Sequence, residues 1–219
     1  MDQSDIDLRN ATYGLFADLG RAPTLEETAA AVGAPASEVE EGWRRLHEGH
    51  ALVLDLPQVA IRMANPFSAV PTPFRVHAAD RDWYANCAWD AFGICVVLGA
   101  DGRIETSCPD CGEGLNVEVR DMRPDDESFL FHCLVPAARW WDDIVFTRGA
   151  MNLFRSEDHI ERWLAGRPPG GTIPIAKLAE LAEEWWGDRL APDWRPHTFA
   201  QNQAILDGLG LTGDFWRLG

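Results

Sequence analysis

The chain has 219 residues, 35 of them acidic and 19 basic, for a formal net charge of −16. Hydrophobic residues make up 46% and charged residues 25%, a globular balance that excludes a disordered chain. A chain of this length buries roughly 70% of its unfolded surface and needs no disulfide or metal to fold. The negative charge repels phosphate backbones and anionic membranes, so no nucleic-acid or membrane partner is expected.

No run of about 18 apolar residues is present to span a bilayer. The polar start MDQSDIDLRN is the reverse of a secretory leader. Five cysteines (Cys87, Cys95, Cys108, Cys111 and Cys133) form an odd set within residues 87–133. That pattern predicts reduced thiols and a cytoplasmic protein rather than a disulfide scaffold.

In chain order, Leu8–Leu19 predicts a helix with Tyr13, Leu15, Phe16 and Leu19 on one face and Gly20 as its stop. Thr24 and Glu27 form a Thr-x-x-Glu capping box for a short second helix that Gly33 closes. A third helix from Ser37 spaces Val39, Trp43 and Leu46 along one face, and ALVLDL then extends as a strand. This order is that of a winged-helix-like module. Its third helix carries Glu38, Glu40, Glu41 and Glu48 against Arg44 and Arg45, the wrong charge for reading DNA.

NPFSAVPTPF, with three prolines, predicts an extended connector. Beyond it, Phe74–His77 reads as a strand, and a helix capped by Asp80 or Asp82 runs to about Leu98. RIETS, LNVEVRDM and FLFHCLVP are strands. Trp140–Phe154 is mixed, SEDHIERWLA is a capped helix, and IAKLAELAEEWWGDRL is a helix ended by Gly187 or Pro192. The fold class is therefore α+β: a winged-helix-like three-helix module (residues 1–65) packed on an α/β domain (66–219) with a small, mostly antiparallel sheet.

Three groups of residues bear on chemistry. Cys87 and Asp90, three apart on the expected helix, can be neighbours, and a carboxylate beside a thiol can manage its proton. By spacing alone, a structural cysteine beside a surface aspartate is the simpler reading. Cys108-Pro109-Asp110-Cys111 is half of a tetrahedral zinc site, but His132 and Cys133 point to opposite faces of a strand and cannot easily both complete it. No structural zinc and no other cofactor is expected there. The pairs Trp140-Trp141 and Trp185-Trp186 read as core, with a pocket lining as the lesser alternative.

With these residues in view, the chain resembles the organomercurial (alkylmercury) lyases. The match is sharpest in WYANCAWDAFGICVVLG, RIETSC and LNVEV, and extends in layout over most of the chain. The resemblance implies that Cys87 and Asp90 are the catalytic pair, with Cys108 as a structural cysteine. In that family two thiolates grip mercury while the aspartate protonates the leaving carbon. The second cysteine would fall within Phe146–Gly149, where this chain has Thr147 and Arg148, and no cysteine follows Cys133.

The resemblance therefore implies a lyase that cleaves a carbon–metal bond by protonolysis, weak on organomercurials, with mercury entering only as part of the substrate. Cys87 and Asp90 are the expected metal contacts, and Cys87, Asp90 and Arg148 the expected catalytic residues. Arg148 would favour the Cys87 thiolate and suit a carboxylate-bearing substrate; alternatively it pairs with Asp90, Asp142 or Asp143 and leaves the site inactive. The expected partners are a small-molecule substrate and a thiol reductant. Two other functions stay open: a divergent enzyme acting on a non-mercurial small molecule, and a non-catalytic metal- or ligand-binding module.

Overall fold

The computed structural model describes all residues, 1–219. Three helices come first: α1 (Gln3–Leu19), α2 (Leu25–Val32) and α3 (Ala36–Glu48). The first starts at Gln3 rather than Leu8 because the Asp2 side chain caps it, accepting from the Asp5 N–H. The capping box of α2 forms as expected, with both the Thr24 and Glu27 hydrogen bonds made. Trp43 ties α3 to α1 by donating from Nε1 to Thr12 Oγ1 at 3.1 Å, and the acidic face of α3 is left to solvent.

Eight strands then build one antiparallel sheet. They are β1 (Val53–Asp55), β2 (Ala60–Ala64), β3 (Phe67–Ser68), β4 (Phe74–Ala78), β5 (Arg81–Ala85), β6 (Gly102–Ser107), β7 (Gly114–Arg120) and β8 (Arg123–Pro124), in the order β1-β2-β3-β5-β4-β6-β7-β8. The proline-rich connector is not a plain linker. Its Phe67 and Ser68 pair with both β2 and β5, so the sheet runs unbroken across residue 65.

A second correction concerns residues 81–98, expected as one helix. Arg81–Ala85 is instead a strand paired in full with β4, and its alternating exposure (Trp83 and Ala85 inward) fits a half-buried pleat. Only Ala88–Leu98 is helical, as α4, with Cys87 at its N-cap and the left-handed Gly99 (φ 57°) ending it. Apart from Asp90, helix α4 is apolar all round and buried along its first two turns, as a central helix must be.

The remainder comprises β9 (Leu130–Cys133), α5 (Ile144–Gly149), β10 (Met151–Phe154), α6 (Glu157–Trp163), β11 (Gly171–Pro174), α7 (Ile175–Trp186) and α8 (Phe199–Gly208). Strands β10, β9 and β11 make a small antiparallel sheet with β9 in the middle. Ser156 stands before α6 but makes no cap bond to the helix, because its hydroxyl is turned to the His159 ring.

Helix α7 lies against α4. Gly93 makes this possible, since a Cβ there would sit 2.5 Å from Trp186 Cδ1. The two ends of the chain meet where Arg9 of α1 is buried between the Tyr13 and Trp194 rings, donating to the Arg189 carbonyl at 2.7 Å.

Candidate active site

The turn from β5 into α4 sets the site. Cys87 at the N-cap has extended backbone (φ −162°, ψ 179°), and its sulfur accepts from the Asp90 N–H at 3.4 Å. The Cys-x-x-Asp spacing is thus an N-cap and its third helical residue, rather than two positions within a helix. Here a thiol takes the N-cap role usually played by a hydroxyl, and the Asp90 side chain is left to accept from Asn86.

Asp90 faces inward and is fully buried. Its Oδ2 accepts from Asn86 Nδ2 at 3.2 Å, and Asn86 is itself anchored on Asn65 Oδ1 (3.0 Å) and the Phe67 carbonyl (3.2 Å). The amide therefore fixes the carboxyl against the β2–β3 connection. Arg148, from α5, completes the group. Its Nη1 lies 3.5 Å from Asp90 Oδ1, 3.7 Å from Cys87 Sγ and 3.8 Å from Met151 Sδ. Of the pairings foreseen for Arg148, the one with Asp90 forms; Asp142 pairs with Arg139, and Asp143 caps α5. Asn86 and Met151 escaped the sequence reading; an amide next to Cys87 was the one visible sign.

Burial dominates the electrostatics. Cys87 and Asp90 are 0% exposed and Arg148 5%. Burial first, and the Asp90 charge second, push the Cys87 thiol well above its ordinary range, although Arg148 and the Asp90 N–H pull it down. The expected effect of Arg148 on the thiol is present but outweighed, so the resting sulfur is a thiol and not a thiolate. Burial also raises the Asp90 carboxyl against the opposing pull of Arg148 and Asn86, which favours a held proton. For Arg148 burial works against the charge, while its proximity to Asp90 and Cys87 works for it and shifts it upward.

A cavity of about 400 Å³ adjoins this group. Its walls include Trp89, Trp140, Trp141, Trp185 and Trp186, with the Arg148 guanidinium among them. Of the two tryptophan pairs, expected chiefly as core, Trp140, Trp185 and Trp186 meet Trp89 at ring separations of 5.5, 5.0 and 5.3 Å, and all four wall the cavity. Tyr13 and His50 close it from the N-terminal helices, where the His50 ring stacks on Trp141 at 4.1 Å. Arg148 reaches the cavity while Cys87 does not, so the guanidinium stands between the open space and the sulfur.

Cys108 and Cys111 lie elsewhere, in the turn joining β6 and β7. Neither His132 nor Cys133 reaches them. His132 Nδ1 bonds Thr172 Oγ1 at 2.9 Å, and Cys133 Sγ bonds the Val135 carbonyl at 3.2 Å. The residue that does reach them is His159 of α6, whose ligand atom lies within 4.8 Å of both sulfurs. The sequence reading did not consider it.

The alkylmercury lyase family model matches residues 67–187, more than half of the chain. Alkylmercury lyases of Bacillus cereus and Clostridium butyricum are each 26% identical over 173 residues, covering 74% of this chain and 73% of theirs. A crystal structure described as the mercury-bound form of MerB2 shares the fold with a TM-score of 0.67 at 21% identity, covering 88% of this chain and 92% of its own. The matched span contains the buried Cys87–Asp90–Arg148 group with its anchoring Asn86, and the chain belongs to the alkylmercury lyase family.

Proposed function

We propose that the protein cleaves a carbon–metal bond by protonolysis, with Cys87 as the metal-binding nucleophile and Asp90 as the proton donor, and that it does so slowly on organomercurials. The observation that carries this reading is the setting of Arg148 Nη1, held among Cys87 Sγ, Asp90 Oδ1 and Met151 Sδ at 3.5–3.8 Å. When the guanidinium withdraws, it leaves a space bordered by a thiol, a thioether and a carboxyl, and sulfur donors suit a soft metal.

In the first step the Cys87 sulfur bonds the metal of an R–Hg–thiolate substrate, and the thiol proton leaves with the displaced thiolate as free thiol. Asp90 then gives its proton to carbon as the carbon–metal bond breaks, and the bonding pair stays with carbon. The Asp90 carboxylate balances the positive charge left on the Cys87-bound metal. Two external thiols carry the metal away as a bis-thiolate and return their protons to Cys87 and Asp90. No electron is transferred.

The rate is low because the position next to the attacking sulfur holds a guanidinium, and Met151 offers only a weak thioether. A second thiolate would stabilise the metal as carbon leaves, and each tenfold of rate corresponds to about 1.4 kcal/mol of that stabilisation. The test is turnover of phenylmercury in excess thiol, followed by release of benzene. Slow turnover that disappears in Asp90→Ala and Cys87→Ala supports the reading, whereas turnover unchanged in both variants overturns it.

One observation favours a second reading, in which the same scaffold acts on a metal-free anion. The planar fork of Arg148 on an aromatic cavity wall suits a carboxylate-bearing small molecule. Saturable binding of simple aromatic carboxylates that Arg148→Met abolishes, in a protein inert to organomercurials, would select it.

A further inference from the structure

The turn Ser107–Gly114 between β6 and β7 has the form of a metal knuckle. Cys108 N–H donates to the Glu113 carbonyl at 2.9 Å, and Gly112 N–H donates back to the Cys108 carbonyl at 2.8 Å. Gly112 takes the left-handed conformation (φ 74°) that reverses the chain just after Cys111. The Cys108 sulfur is buried under the turn, while Cys111 is exposed beside it.

Against this turn lies α6. His159, two residues into that helix, is oriented by Ser156, whose Oγ lies 2.9 Å from Nδ1. A hydroxyl against the ring fixes its orientation, as supporting partners of ligating histidines commonly do. The same two segments are also joined by ion pairs, Arg162 to Asp110 at 2.7 Å and Arg155 to Glu113 at 2.5 Å. These pairs occupy the nearby carboxylates with arginine and leave two sulfurs and one imidazole facing each other.

We propose that Cys108, Cys111 and His159 bind a single zinc-class divalent ion tetrahedrally, with the fourth position open to solvent beside the exposed Cys111. Two thiols and an imidazole within 4.8 Å are the donor types zinc selects. The ion would clamp the end of the large sheet to the helix that follows β10 of the small one. This site is independent of the Cys87 group and of the reaction proposed there.

The full-length chain, stripped by chelator and reduced, is titrated with Zn²⁺ and separately with Co²⁺. The expected results are one ion per chain, thiolate-to-cobalt charge-transfer absorption, a raised melting temperature, and protection of Cys111 from alkylation. Cys111→Ser and His159→Ala alter side chains at or near the surface, and melting curves verify that each folds. Each should weaken binding at least about 100-fold, and Ser156→Ala about 10-fold. Absence of binding at micromolar free metal overturns the site. So does binding that survives either ligand substitution, including a two-sulfur mode that needs Cys111 but not His159.

Discussion

The two groups of cysteines differ in what surrounds the sulfur. Cys87 sits at a helix N-terminus, a position that by itself favours a thiolate, yet complete burial beside Asp90 makes it a reluctant acid. Cys108 sits in the β6–β7 turn with no helix behind it, yet backbone N–H groups of Arg155, Cys111 and Asp110 hold its thiol below the ordinary range. Local position therefore does not decide thiol chemistry. Desolvation outweighs the helix end at Cys87, while directed N–H groups outweigh burial at Cys108.

The largest effect that would break this contrast is loss of function at the buried pair. Cys87→Ala and Asp90→Ala should each lower protonolysis by about 1,000-fold or more, roughly 4 kcal/mol of transition-state stabilisation, in a single-turnover assay of benzene release. If either variant kept within tenfold of the parent rate, the buried group would be structural.

Alkylation measures the contrast directly. At neutral pH, mass spectrometry should find Cys111 modified about 100-fold faster than Cys87, because one is exposed and the other is a buried thiol behind Arg148. Arg148→Ala should narrow that gap by opening the cavity wall. Equal rates in the parent protein would mean that burial does not protect Cys87.

Arg148→Cys sharpens the comparison from the other side by giving the buried site the sulfur pair that the surface turn already has. Protonolysis should rise at least about tenfold, read from initial rates at saturating thiol. No gain, together with no loss in Asp90→Ala, would place the scaffold outside carbon–metal chemistry.

A smaller effect concerns His132, which lies under α6 with its ring 5.8 Å from that of Trp163. Burial lowers its pKa from 6.5 to about 4, so the folded chain binds that proton less readily than the unfolded chain. The associated stability is present above pH 6.5 and is lost as pH falls toward about 4. Its upper size is about 3 kcal/mol. Urea midpoints measured across that window should fall with acidification, and less so in His132→Gln. An unchanged slope in the variant would show that other groups govern acid sensitivity.

Legibility in the sequence followed the range of each interaction. The Thr24–Glu27 box and the stops at Gly20 and Gly33 formed as read, because a cap is satisfied within a few residues of chain. The strand–helix break at Ala85–Ala88 was missed. Trp83, Tyr84 and Trp89 suit either element, and pairing with β4, already formed on its other edge with β6, selects the strand.

By itself the sequence determined the α+β class and the Cys-x-x-Asp pair, which rest on residue type and short spacing, while position 148 stood out only through the resemblance to the alkylmercury lyases. Only the tertiary structure decided what those residues meet. Asn86 reaches Asp90 because the chain turns between β5 and α4, and Arg148 reaches both members of the pair because α5 is folded onto that turn. His159 meets Cys108 and Cys111, which are distant in the chain, because β10 and α6 return to the end of the β6–β7 hairpin. Proximity of this kind is set by strand pairing and helix packing over long loops, where local spacing carries no information. The burial it brings then sets the protonation of Cys87 and Asp90, a property of the surrounding protein rather than of the residues alone.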